Sequence, residues 1–156
     1  MCARPIDTHR TGGGENRKTG GQVMGIMVKI GIEHMDTDKV TSLLQGTYWA
    51  RERSGETIRL SMEHSLCFGA FREDGAQVGF ARVITDYATS YYLCDVVVDA
   101  ACRRQGLGAA LVSYIERLPC YRGLRGMLIT RDAHGLYEKF GYAVLDGRFM
   151  VKGLNG

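Results

Sequence analysis

Between residues 27 and 152 the apolar positions switch repeatedly between strand-like and helix-like spacing, and each switch predicts an element. Residues 28–32 alternate as a first strand. Val40, Leu43 and Leu44 fall on one face of a helix that Asp36 or Thr37 can cap and Gly46 ends. Tyr48, Trp49, Ala50 and Arg51 read as a loop or short turn, and Ser54 can cap a second helix carrying Ile58 and Met62. Residues 66–71 and 77–84 read as two strands joined through Glu73, Asp74 and Gly75, an Asp-Gly hairpin signal. Residues 89–98 form a fourth strand ending in Val96, Val97 and Val98, a β-branched run suited to burial. Leu107, Leu111, Ile115 and Leu118 then repeat on one helical face until Pro119 stops it. A short fifth strand is predicted over 127–130. A short helix follows over 133–140, with Asp132 as cap, Leu136 and Phe140 buried and Gly141 as stop. Residues 142–145 and 149–152 make a last strand pair around Asp146 and Gly147.

The order β-α-α-β-β-β-α-β-α-β-β belongs to the α/β (α+β) class. At 156 residues with 45% apolar content the chain is long enough for one domain with a real core. Residues 1–25 are expected to be a flexible leader outside the fold, because glycines cluster at 12–14 and 20–21 and apolar periodicity is lacking. Nor does that stretch have the apolar centre of a secretory signal. The domain is therefore placed at 26–156, with Met24 or Met27 as its candidate start. A net charge of +3 is mildly basic, which suits an anionic cofactor and falls short of the basic stripe of a nucleic-acid binder. No apolar run reaches membrane-spanning length, so no membrane partner is expected. The five cysteines are odd in number and far apart, which argues against a disulfide framework or a metal site and for a cytoplasmic setting. Most should be small core hydrophobes. Cys102, beside a basic loop, is the candidate for an exposed thiolate.

That basic loop is the sharpest chemical signal. Arg103, Arg104, Gln105, Gly106, Leu107 and Gly108 join the valine-rich strand to the start of a helix. The first N–H groups of a helix lack partners and the helix dipole is positive there, so an anion is favoured. Glycine lets backbone approach a ligand closely. Together these make a seat for a phosphate or pyrophosphate. The dinucleotide fingerprint fails because Leu111 stands where a third glycine belongs, and no P-loop pattern is present. The plain alternative is an ordinary glycine-lined strand–helix corner.

What the loop does match is R-x-x-G-x-G, and here the chain resembles the GNAT superfamily of acyl-CoA-dependent N-acetyltransferases. Leu136, Tyr137, Glu138, Lys139, Phe140, Gly141 and Tyr142 are similar to a second GNAT segment, L-Y-x-K-x-G-[FY]. The resemblance covers roughly residues 28–152. It implies the GNAT fold: a single mixed, mostly antiparallel sheet of six to seven strands, with the fourth and fifth splayed apart and four helices flanking it. It also implies that acetyl-CoA or coenzyme A lies with its pyrophosphate on Arg103, Arg104, Gln105, Gly106, Leu107, Gly108 and Ala109. The pantetheine arm would run along Val96, Val97 and Val98. Tyr137 takes the place of the family's general acid. The implied reaction moves an acetyl group to a primary amine by direct attack in a ternary complex. A small-molecule amine is favoured over a protein as acceptor, and a homodimer is an admissible assembly. The alternative is a GNAT domain that binds acyl-CoA as a sensor without turnover. A nucleotide-binding module is the further rival.

Such a reaction sets three requirements. An alkyl amine has a pKa near 10.4, so freeing its lone pair at neutral pH costs about 4–5 kcal/mol and calls for a base. Asp95, expected among apolar neighbours that would raise its pKa, is the first candidate, and Asp86 the second. Glu63 and His64 are poorer ones. A hydrogen-bonding role for Asp95 at a strand bulge is the structural alternative. Counting back from the loop to the position a GNAT base often occupies reaches Tyr92, no obvious base. The developing oxyanion can be met by a backbone N–H near Val96, Val97 or Val98. The departing thiolate needs a hydrogen-bond donor, and a phenol's pKa near 10 makes Tyr137 a stabiliser first and a proton donor late. Arg131 and His134 read as solvent or cofactor contacts. Tyr48, Trp49, Arg51 and Arg53, with Asp146 and Arg148 opposite, flank the expected acceptor cleft. Their cues conflict: aromatics with Asp86 and Asp95 suit a cationic amine, whereas the arginines suit an acceptor with its own carboxylate.

Overall fold

Within Leu66–Phe71 the side chain of Cys67 goes to one face and that of Phe68 to the other, and both are fully buried. A strand apolar on both faces requires a sheet covered on both sides. A computed structural model, which describes residues 20–23 and 25–152, has that architecture. The elements in order are β1 (Gly20–Val23), β2 (Ile26–Ile30), α1 (Thr37–Gln45), α2 (Gly55–Glu63), β3 (Leu66–Phe71) and β4 (Gln77–Thr85). They continue with β5 (Ser90–Val98), α3 (Leu107–Glu116), β6 (Arg125–Met127) and α4 (His134–Tyr137). The six strands lie in sequence order, antiparallel from β1 to β5, with β6 parallel to β5. The fold is thus a mixed, mostly antiparallel α/β sheet of the expected class.

On one face Val40, Leu44, Ile58 and Met62 from α1 and α2 bury Cys67, Phe80 and Val97. On the other, Leu111, Val112 and Ile115 from α3 cover Phe68, Ala81, Val83 and Leu93, and Tyr137 and Phe140 pack at the edge of that cluster. Both expected caps form: Asp36 accepts from Lys39 N at 3.0 Å and Ser54 from Thr57 N at 3.1 Å. The hairpin between β3 and β4 turns at Gly75, whose φ of +85° suits glycine. Among the described residues no helix is long and apolar enough to cross a membrane.

The structure departs from the sequence reading at four places. Gly20–Val23, assigned to the leader, pairs with β2, while the leader's first 19 residues lie outside the described residues. Strand pairing there rests on backbone groups, which apolar periodicity does not report. The fifth predicted strand lies earlier, as β6 at Arg125–Met127. Asp132 is not the cap of α4; Thr130 Oγ1 accepts from Ala133 N at 3.0 Å instead. Finally, residues 142–145 and 149–152 form no strand pair, and Val144, Leu145 and Met150 stay 63, 65 and 96% exposed. Two short strands alone are marginal in water, and β6, with three residues, is a poor template for them.

The most consequential feature is how little of β5 is paired to β6. Pairing covers only Ser90, Tyr91 and Tyr92 against Arg125, Gly126 and Met127. Beyond Tyr92 no described strand pairs with the edge of β5 that faces β6, so the two strands part as the resemblance implies. A polar clamp holds the paired end. Glu116 accepts from the Tyr91 hydroxyl at 2.7 Å and from the Tyr142 hydroxyl at 2.8 Å, and Tyr121 stacks on Tyr91 with ring centroids 4.7 Å apart. Burial pushes the Tyr91 phenol up to about 12 and that of Tyr142 up strongly, so both remain donors. Gly126 passes directly beneath: a Cβ there would stand 2.5 Å from the Tyr91 hydroxyl and 2.8 Å from that of Tyr142. Gly126→Ala should therefore destabilise the fold by about 1–3 kcal/mol, read as a lower urea midpoint with an unchanged slope.

Candidate active site

β5 is interrupted by a bulge at the point where its edge becomes free. Phe80 pairs with Val97 and Arg82 with Cys94, so Asp95 and Val96 together oppose Ala81. Asp95 adopts φ +54°, a left-handed conformation that aspartate tolerates better than most residues. Its carboxylate is 2% exposed and held by two guanidinium groups. Arg53 Nη1 donates to Oδ1 at 2.9 Å and Oδ2 at 3.0 Å, and Arg82 Nε donates to Oδ2 at 2.6 Å. Burial opposes the charge on Arg82, but Asp95 outweighs it and the guanidinium's pKa is raised. The surroundings of Asp95 are thus ionic, not the apolar ones expected. Both of its oxygens already accept from guanidinium donors.

Asp86 is also engaged. It takes hydrogen bonds from the N–H groups of Ala88, Thr89 and Ser90 at 3.0, 2.9 and 3.1 Å and from the Thr89 hydroxyl at 2.6 Å. These contacts, led by the Thr89 hydroxyl, hold its pKa far below the usual carboxylate range. It braces the β4–β5 turn. Glu63 pairs with Arg59 on the exposed side of α2, and His64 caps that helix in solvent. Tyr92 is half-buried, and desolvation raises its phenol, so it is no base near neutral pH.

Tyr137 lies on the α3 side of the sheet and lines a cavity of about 280 Å³ with Met127, Thr130, His134, Tyr142 and Phe149. Desolvation, with smaller contributions from Tyr48 and Asp132, pushes its phenol up to about 12. Tyr137 is therefore protonated throughout the physiological range. The segment between α1 and α2 bridges the two faces near it. Tyr48 lies under the Arg131 guanidinium, 3.6 Å from its ring centroid, and makes an edge contact with Trp49 at 4.9 Å. Five residues after Tyr48, Arg53 reaches Asp95. One loop therefore touches both the stretch after β6 and the bulge of β5.

The basic loop precedes α3 as expected. Arg104 and Gly106 are left-handed, at φ +61° and +79°, and Gly106 is the helix N-cap without a side-chain cap. Arg103 donates from Nε to the Val98 carbonyl at 3.2 Å, and Gln105 donates to Ala101 O at 3.3 Å. A Cβ on Gly108 would meet only Val98 Cγ2, at 3.8 Å, so the space above that glycine is open. Leu107 is buried and Ala109 half-buried behind the loop. Cys102 is buried, not exposed as expected, and burial pushes the Cys94 thiol up to about 11.

The structure thus joins Arg53 to Asp95 at the bulge of β5, with Tyr48 and Trp49 on the same α1–α2 segment, and packs Tyr137 against the cluster on the α3 side of the sheet. It does not join Arg148 or Asp146 to them; both lie in the exposed stretch after Tyr142, and no hydrogen bond or ion pair among the described residues links them to the site. Arg51 is exposed on the α1–α2 segment. Sequence reasoning missed Arg82. Its signal was a lone cation within Val78, Gly79, Phe80, Ala81, Val83 and Ile84, where alternation sets it on the Phe80 face.

Comparison with known proteins bears on what this arrangement is. The family described as Acetyltransferase (GNAT) domain matches residues 63–144. A GNAT-family protein from Xanthomonas campestris pv. campestris is 36% identical, with 81% of this chain and 93% of that one covered and a TM-score of 0.74. A GNAT-family acetyltransferase from Streptococcus pneumoniae TIGR4 is 24% identical, with 81% and 96% covered and a TM-score of 0.64. Glucosamine-6-phosphate N-acetyltransferase from Arabidopsis thaliana is 18% identical, with 82% and 99% covered and a TM-score of 0.57. The last two are likenesses of fold alone. No curated protein matches the chain.

Removing the carboxylate at the bulge should be costly, because it leaves Arg53 and the largely buried Arg82 uncompensated. Asp95→Asn, which keeps a residue at ease in the left-handed region, should lose about 3 kcal/mol in chemical denaturation. Asp95→Ala should lose about 1 kcal/mol more from backbone strain.

Proposed function

The chain belongs to the GNAT acetyltransferase family, and from that premise we propose that it is an N-acetyltransferase that uses acetyl-CoA and a primary amine. The observation that carries this reading is the open edge of β5, which runs from the amide-lined mouth of α3 to the neighbourhood of Tyr137. Leu107, Gly108 and Ala109 offer N–H groups that have no partner inside α3, and the exposed Arg103 and Arg104 add charge. These residues fit a pyrophosphate, and the open space above Gly108 admits close approach. The free main-chain groups at the bulge around Val96, Val97 and Val98 suit the amide-bearing arm that follows and can donate to the carbonyl oxygen.

When bound, acetyl-CoA supplies the thioester carbonyl that the amine attacks and the thiolate that leaves. Tyr137 holds a proton on Oη through the whole working range and donates a hydrogen bond to the departing sulfur. Its phenol lies further above a thiol's value, near 8.5, than the sequence reading assumed, so hydrogen-bond stabilisation precedes any full transfer. Asp95 and Asp86 are both engaged, so the amine's proton leaves through water rather than directly to either carboxylate. The same observation favours the second reading, an acyl-CoA-binding domain without turnover.

Thiol release from acetyl-CoA across polyamines, amino acids, aminoglycosides and lysine peptides separates the two. Release above the water background with any amine is the expected result, and binding without release selects the sensor. Tyr137→Phe should lower kcat roughly a hundredfold and leave the acetyl-CoA dissociation constant nearly unchanged. Because burial favours the neutral phenol, its proton is lost only as pH climbs toward about 12. The kcat profile should therefore show no falling limb from Tyr137 between pH 7 and 10, and Tyr137→Phe should lower that profile without reshaping it. Gly108→Leu, which adds a good helix former in open space, should keep the melting temperature yet weaken acetyl-CoA binding about tenfold or more by calorimetry.

A further inference from the structure

We propose that the acceptor amine carries a carboxylate of its own, gripped by the free ends of Arg53 and Arg82 on the α1–α2 face of the sheet. This rests on the acetyl-transfer reading and names its substrate class. The groups that would have received a purely cationic amine are engaged elsewhere. Asp86 is saturated by the β4–β5 turn, Asp95 bridges two guanidinium groups, and Arg131 covers a face of Tyr48. The guanidinium groups themselves have capacity left. Asp95 uses only Nε of Arg82 and Nη1 of Arg53. The two terminal nitrogens of Arg82, and Nε and Nη2 of Arg53, make no hydrogen bond to any described residue. A guanidinium fork matches a carboxylate in shape and charge.

Charge points the same way. Two arginines against one carboxylate leave a net positive charge, and the Arg82 side chain is only 11% exposed. A cation held that far from solvent favours an anion that completes it. The flanking charges do not complete it: Arg51 and Glu52, and Arg131 and Asp132, are exposed sequence neighbours of opposite sign. The position is also the right one. Asp95 anchors both guanidinium groups at the bulge, beside the open edge along which the thioester would lie. Tyr137 packs on the opposite, α3 side of the sheet, in the cluster that also includes Leu93 and Val96 of β5. A carboxylate taken here would hold the neighbouring amine of an amino acid against the gap.

The test compares amines that differ only in a carboxylate: phenylalanine with phenethylamine, tyrosine with tyramine, tryptophan with tryptamine, each with the full chain and acetyl-CoA. The expected result is a kcat/KM at least tenfold higher for the carboxylated member, carried mainly by KM. Arg53→Gln, at the more exposed of the two arginines, should collapse that ratio toward one, and Arg53→Lys should restore part of it. The matched comparison on the unaltered chain needs no variant, so a misfolded variant would not obscure it. Equal or faster turnover of the decarboxylated amines overturns the proposal and leaves acetyl transfer standing. Absence of thiol release with every amine, despite stabilisation by acetyl-CoA, overturns the acetyl-transfer reading and this inference with it.

Discussion

A single buried carboxylate between two guanidinium groups organises this protein. Asp95 lies where β5 makes its bulge and loses its neighbour on the β6 side, and a charge so deeply placed persists only if paired and hydrogen-bonded. Arg82 supplies that from the adjacent strand and Arg53 from the loop between α1 and α2. The ion pairs therefore do more than neutralise Asp95. They fix the bulge in register and tie the loop that carries Tyr48 and Trp49 down over the open edge.

Two faces of the sheet then meet at one opening. On the α3 side stand the basic loop, with its unpartnered helix amides, and Tyr137. On the α1–α2 side stand Arg53, Arg82, Tyr92 and Cys94. The Glu116 clamp on Tyr91 and Tyr142 keeps β5 and β6 together at one end, so separation begins only after Tyr92. A donor laid along the edge from one face and an acceptor from the other would share the gap without competing for space.

Burial biases the phenols and the thiol around this opening toward keeping their protons. Burial raises the phenols of Tyr92 and Tyr137 and the thiol of Cys94, while both oxygens of Asp95 accept from guanidinium groups. Such a site is rich in hydrogen-bond donors and short of acceptors. It is suited to holding anionic groups.

The sequence by itself determined what depends on near neighbours along the chain. Val40, Leu43 and Leu44 at helical spacing, the caps at Asp36 and Ser54, the turn at Gly75 and the loop around Gly106 act over a few residues. Their consequences could be read directly, as could the family resemblance. Only the tertiary structure decided the partners of Asp95, 13 residues from Arg82 and 42 from Arg53, and of Glu116, 25 residues from Tyr91. Sheet register sets those distances, and one bulge residue more or less would send the carboxylate to the other face. Strand formation at Gly20–Val23, and its failure after Tyr142, were equally hidden. Both depend on whether a neighbouring strand offers free backbone groups over enough length, a property of the assembled sheet and not of the segment.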